Sequence, residues 1–166
     1  MQRSDAAALA RLWQRNHANL AAVLPGVGES PPGESMLRRH CQSLELARRE
    51  DRRYGFGIWE DSHLVGTLSL SNVIRGPLLS ATLGLWLDRE ARGHGTGTRA
   101  IELGCRTAFE ELDLHRLDAG VQPTNLASLG ALRANGFTEI GLARGYLLIG
   151  GRWTDHVLLE RVVPVG

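Results

Sequence analysis

The stretch "WLDREARGHGTGTRAIELG", Trp86 to Gly104, carries the reading of this chain. Gly93, Gly95 and Gly97 crowd into the gap between a strand-like apolar run, "LLSATLGLWLD" (Leu78 to Asp88), and a helical pattern from about Thr96 to Leu112. Three kinds of anion-binding loop occupy such a position. A Walker loop needs a lysine after its glycines, and the chain contains none. A dinucleotide loop needs GxGxxG at the strand end with an acid about 20 residues on. Asp118 stands near that place, but "DREAR" separates strand from loop and the third glycine comes one position early. The third pattern, [QR]-x-x-G-x-[GA], is met by Arg92-Gly93-His94-Gly95-Thr96-Gly97. Glycines there leave backbone N–H groups uncovered for a pyrophosphate, and the helix start adds a favourable dipole.

Outward from the loop, elements follow from periodicity. Ser4 and Asp5 can cap a helix from Ala6 whose apolar positions are Leu9, Leu12, Trp13, Leu20 and Val23. "LPGVGESPPGES" reads as a loop. A second helix runs from Glu34 to about Arg49, and its closing arginines suit the helix dipole. "YGFGIWE" and "LVGTLSLSNV", joined by "DSH", form a hairpin. Beyond the glycine loop come a strand in "HRLDAGVQ", a helix in "NLASLGALRANG" and two strands around Gly150-Gly151. Strands run consecutively early and alternate with helices later, which implies an α/β (α+β) mixed sheet with helices on its faces. The 166 residues suit one domain, 1–166. One element is absent: no strand precedes the first helix. Either an edge strand is missing or the start lies late. An open edge leaves backbone groups that a second copy could meet, so a homodimer is an expectation.

Composition narrows the partners. A net charge of +1 gives no field to draw nucleic acid or anionic lipid. The two cysteines, Cys41 and Cys105, form no metal or redox motif, and the six histidines have no metal spacing. No apolar run spans a bilayer, and "MQRSDAAALARLW" lacks the order of a secretory leader. The expectation is a cytoplasmic chain with no metal, no membrane and no direct nucleic-acid contact.

The stretches "LGLWLDREARGHGTGTRAIEL", "HRLDAGVQPTNLASLGALRANGFTEIG" and "ARGYLLIGGRWTDHVLLERV" together resemble the GNAT N-acetyltransferase superfamily, over about Tyr54 to Val162. Within it they look most like the RimJ/RimL-like ribosomal-protein N-terminal acetyltransferases. The resemblance implies a mixed central sheet splayed open at the cofactor site, with acetyl-CoA in the gap. By motif, Leu85, Trp86 and Leu87 would pair their backbone with the pantetheine arm. Arg92, Gly93, His94, Gly95, Thr96, Gly97 and the N–H of Thr98 would cradle the pyrophosphate. Asn125 would bond the cofactor near its thioester. Ser128, on the same helix face, would protonate the departing sulfur as the catalytic residue. Plainer roles exist: Asn125 is also a good helix N-cap and Ser128 a first-turn hydroxyl. Trp86 and Trp153 suit a core or substrate wall. Asp155 and His156 are neighbours on a strand, so they face opposite ways and form no dyad.

The reaction so implied is direct attack of a neutral amine on the thioester, with a backbone N–H near Leu87 holding the oxyanion. The general base is not evident. Where relatives place a glutamate, this chain has "SATLGLWL" and "GLARGYLLI", with Thr82 and Leu147 at the sites of interest. Glu60, Asp61, His63 and Glu139 are the remaining candidates. An α-amine titrates near 7.7–8.0 and a lysine near 10.4, a gap of about 3.4 kcal/mol. A weak base is therefore tolerable for an N-terminal amine and a handicap for lysine. The expected substrate is a protein or peptide N-terminus. A small-molecule amine, or a non-catalytic acyl-CoA-binding role, stands as the alternative.

Overall fold

The computed structural model describes residues 1–163. Ten elements follow in order: α1 (Ala6–Ala21), α2 (Glu34–Arg49), β1 (Tyr54–Glu60), β2 (His63–Ile74), β3 (Ser80–Leu87), α3 (Thr96–Arg106), β4 (Arg116–Val121), α4 (Leu126–Ala134), β5 (Thr138–Ile149) and β6 (Arg152–Val162). No strand precedes α1 among the described residues.

The six strands make one mixed sheet in the order β1-β2-β3-β4-β6-β5. Only β3 and β4 run parallel, and they pair at just three positions: Ser80 with Arg116, Ala81 with Leu117, and Thr82 with Asp118. Beyond Thr82 the two strands part, while each keeps its outer neighbour. β3 stays on β2 through Leu87, opposite Gly66, and β4 stays on β6 through Val121, opposite Val157. The sheet therefore splays open in the middle as a V whose point lies at Thr82 and Asp118.

Helices cover both faces. α3 and α4 pack on Leu68, Leu70, Ala81, Leu83, Leu117, Ala119 and Leu159, the main core. On the opposite face α1 and α2 enclose a smaller core of Leu9, Leu12, Leu37, Cys41 and Leu64, with Trp13 and Trp86 against it. Burying each leucine contributes roughly 1.5–3 kcal/mol. The stripe on α1 is Leu9, Leu12, Asn16 and Leu20, spaced three and four apart and all buried.

Some boundaries differ from the periodicity. Asp5 does not cap α1, because its carboxylate accepts the Gln2 N–H at 2.7 Å across a short 3₁₀ turn. β3 begins at Ser80 and not Leu78. Leu79 sits at φ +44°, and its carbonyl accepts the His115 and Arg116 N–H groups at 2.7 and 3.1 Å, anchoring the entry to β4. The helix after the glycine loop gives way at Thr107 to one π-turn, Thr107–Glu111, over whose Phe109 the Arg161 guanidinium lies at 5.4 Å. Cys41 and Cys105 are buried free thiols, and burial pushes both up from the usual thiol range.

Candidate active site

The V between β3 and β4 has two unlike walls. On the β3 side, the Asp88 N–H donates to Val65 O at 2.7 Å. Amides alternate along a strand, so those of Trp86 and Gly84 also turn to β2, and those of Leu87, Leu85 and Leu83 turn to the gap. The Arg92 guanidinium folds back and donates to Leu87 O at 3.1 and 3.3 Å. Leu85 thus presents its N–H and C=O to the opening. Trp86 contributes no amide there. Its indole instead packs edge-on against Trp13, centroids 5.9 Å apart at 73°, a pairing worth about 0.5–1.5 kcal/mol beyond burial.

The glycine loop follows directly. Asp88 accepts the Glu90 N–H and caps the 3₁₀ turn Arg89–Ala91. Gly93 and Gly95 then take φ +85° and +84°, and a Cβ at either would point into open space. Only glycine holds that left-handed conformation at little cost. In α3 the Arg99 N–H donates to Gly95 O at 3.0 Å, so the N–H groups of Thr96, Gly97 and Thr98 lie ahead of any intrahelical acceptor. The cap residue is Gly95, which has no side chain to satisfy them. At Gly97 a Cβ would come within 3.3 Å of Leu87 Cδ1, so glycine lets the helix close on the strand. Thr96 Oγ1 donates to Glu60 at 2.5 Å. His94 borders a groove of about 570 Å³ between β1 and α3.

The β4 wall is made of side chains. Asn125 caps α4: its Oδ1 accepts the Ser128 N–H at 3.2 Å, and its amide N has no partner among the described residues. The Ser128 hydroxyl, half-buried, is likewise unbonded among them. At the end of β4, Gly120 is exposed, and a Cβ there would lie 3.3 Å from Tyr146 Cε1 and 3.9 Å from His156 Cδ2. Those two rings sit 5.6 Å apart. They reach Gly120 because β5 bulges: three residues, Arg144 to Tyr146, oppose Asp155 alone. Asp155 pins the bulge by accepting the Gly145 N–H at 2.8 Å. Asp155 is exposed and His156 buried, on opposite faces of β6.

Of the groups considered as bases, Glu60 and Glu139 have other partners, and Asp61 and His63 lie in the turn beside Glu60. β1 lies two strands from the gap, and Glu60 at its end takes Thr96. His63 Nδ1 lies 3.0 Å from Asp61 O within the same turn. Glu139 pairs with Arg133 on α4. Thr82 accepts the Asn72 amide at 3.3 Å, and Leu147 O accepts the Thr154 hydroxyl at 2.9 Å. Asp118, at the point of the V, pairs with Arg116. Trp153 is largely exposed on the β6 edge of the hairpin. Among the described residues no three His, Cys, Asp or Glu side chains form a metal-binding group.

One part of the site carries no motif. Buried Asp88 accepts from Arg15 Nε and a terminal nitrogen at 3.2 and 2.8 Å, and Asn16 accepts the Arg89 N–H at 3.1 Å. Burial pushes the Asp88 carboxyl up, but hydrogen bonds from Arg15, Asn16 and the Glu90 N–H outweigh it and hold the group below the usual carboxylate range. Six residues on, Ala22 O accepts Gln122 Nε2 at 3.5 Å. α1 thereby ties the open end of β3 to the open end of β4. The signal in the sequence was Asn16, a polar residue on an apolar stripe.

Residues 1–138 match the family model described as an acetyltransferase (GNAT) domain. The relative named "Probable N-acetyltransferase YjcK", from Bacillus subtilis, is 44% identical over 129 residues, 76% of this chain and 71% of its own. The [ribosomal protein uS5]-alanine N-acetyltransferase of Escherichia coli is 28% identical over 162 residues, 96% of this chain and 84% of its own. The solved structure of Mycobacterium smegmatis RimJ in complex with CoA-disulfide superposes with a TM-score of 0.93 at 32% identity, covering 98% of this chain and 79% of that one. The chain belongs to the GNAT acetyltransferase family. It is an acetyltransferase whose acetyl donor is acetyl-CoA. The residues present fit that donor: open glycines at left-handed φ, three uncapped helix amides and an unpaired strand backbone are what a pyrophosphate and an amide-bearing arm require.

Proposed function

We propose that the protein acetylates the α-amine of a protein or peptide N-terminus, of the ribosomal-protein type, in the cytoplasm. Bound in the V, acetyl-CoA supplies an activated acetyl group. The N–H groups of Thr96, Gly97 and Thr98, with the loop from Arg92 to Gly95, hold its phosphates, each hydrogen bond to a charged oxygen contributing about 1.5–3 kcal/mol. Leu85 offers its backbone as the strand edge on which the pantetheine amides pair, flanked by Trp86 and Leu87. The Asn125 amide N donates near the reacting end while Oδ1 stays on the cap. Ser128 stands one helical turn further on and supplies a proton to the leaving sulfur.

The observation that carries the choice of amine is the state of the carboxylates bordering the V. Asp88 and Asp118 are both in ion pairs with arginine, so neither is free to strip a proton from a lysine. An α-amine, already partly neutral near pH 7, needs far less. The names of the relatives that act on ribosomal proteins point the same way. The test is mass spectrometry of products from acetyl-CoA and three panels: peptides with free N-termini, N-blocked peptides containing lysine, and small amines. Acetylation of free N-termini at least tenfold faster than the other two is the expected outcome. Preference for small amines would replace the reading.

A further inference from the structure

We infer that His156 is the catalytic base that takes the proton from the attacking amine, an assignment that rests on the proposed amine acetylation. The residue is buried, only 3% exposed. Nδ1 lies 3.2 Å from Thr154 O. A carbonyl can only accept, so that nitrogen carries the hydrogen and Nε2 carries the lone pair in the neutral ring. Nε2 has no protein partner among the described residues, yet no buried side-chain nitrogen or oxygen among them lacks one. The small exposed part of the ring therefore includes Nε2.

The direction of that lone pair matters. Cδ2, bonded to Nε2, is the ring atom nearest the space a Cβ on Gly120 would fill. Gly120 is the residue of β4 just past the point of the V, on the face opposite α3 and α4. A side chain there would close the approach, and glycine leaves it open. Tyr146 forms the other wall. The carboxylates and the other histidine on neighbouring elements are engaged: Asp118 and Glu160 with Arg116, Asp155 with Gly145 N on the other face, and His17 of α1 with Gly28 O; the Tyr146 phenol, which also faces the ring, is a hydroxyl that stays protonated near neutral pH. Among the described residues His156 is the one imidazole or carboxylate of this face with an uncommitted lone pair beside the V.

The step balances without a further reactant. The amine nitrogen forms its bond to the acetyl carbon and gives one proton to His156 Nε2. The carbon–sulfur bond breaks and the sulfur leaves with its electron pair, taking a proton from Ser128. The imidazolium's proton passes through water to the Ser128 oxygen, so both side chains end as they began.

The test has two readouts. In the intact protein with ¹⁵N-labelled histidine, NMR near pH 8 should show His156 protonated at Nδ1 and bare at Nε2. In His156→Gln and His156→Asn, kcat with an N-terminal peptide should fall about 100-fold or more. The dissociation constant for coenzyme A, read by calorimetry, should stay within about twofold, since the cradle is on the other wall. A reversed tautomer, or active variants within threefold of wild type, would overturn the assignment while leaving amine acetylation intact. If both variants fail to fold, the wild-type tautomer decides. A wild-type protein that acetylates no amine would overturn the functional reading and this assignment together.

Discussion

The two walls of the V are built from different material. On the β3 side nearly everything offered to a ligand is backbone: Leu85 along the strand, then the amides between Gly93 and Thr98. On the β4 side what is offered is side chains: Asn125, Ser128, Tyr146 and His156. The first wall is continuous in sequence and needs glycines and a helix start. The second gathers residues from β4, α4, β5 and β6 and depends on register. A wall of amides suits gripping a donor that never changes, and a wall of side chains suits chemistry and acceptor choice.

That division can be broken by substitution. The largest effect belongs to Gly95→Val. A β-branched residue at φ +84° is strained and shields the loop amides, so affinity for coenzyme A should fall about 100-fold, equivalent to losing one or two charge-assisted bonds. If calorimetry shows undiminished affinity, the first wall is not the grip. Next comes the latch that holds the end of that wall. Asp88→Asn should cost about 1.5 kcal/mol, with the half-exposed Arg15 discounted for screening, and lower Tm by about 3–6 °C. The folded pKa of Asp88 is depressed, so this contribution is full above the ordinary carboxylate value of about 3.9. It shrinks as pH falls through the folded value. Thermal melts of wild type and variant should converge in acid; a constant difference down to pH 2 would contradict the latch.

The second wall yields smaller, separable effects. Ser128→Ala should lower kcat about tenfold, because a thiolate needs only modest help to leave, with coenzyme A affinity unchanged. A loss of binding without loss of kcat would move Ser128 to the gripping side. Asn125→Ser sharpens the comparison most finely. Serine still caps α4, so stability should hold within about 0.5 kcal/mol, while loss of the amide donor should weaken coenzyme A binding about fivefold. Unchanged binding would leave Asn125 a cap alone.

Legibility followed the same division. The loop between Arg92 and Thr98 could be read because its requirement is local: φ beyond the reach of most residues, and amides left bare at a helix start. The plain role weighed for Asn125, an N-cap, is the one its Oδ1 fills, and the cap leaves the amide N over. Trp86 could not be placed from its neighbours, since strand alternation assigns its amide to β2 only once Asp88 is seen donating to Val65. The base stayed out of reach for a similar reason. Adjacency of Asp155 and His156 rightly argued against a dyad, but nothing local says that a bulge in β5 brings Tyr146 beside His156 over Gly120.

What the sequence by itself determined is the order of helices and strands and the glycine loop between β3 and α3, because periodicity and backbone freedom act over a few residues. What only the tertiary structure decided is where β3 and β4 part, which lone pair faces the opening, and that α1 spans it from Asp88 to Gln122. Those depend on contacts between residues 36 or more apart in the chain, where packing and not local preference selects the register.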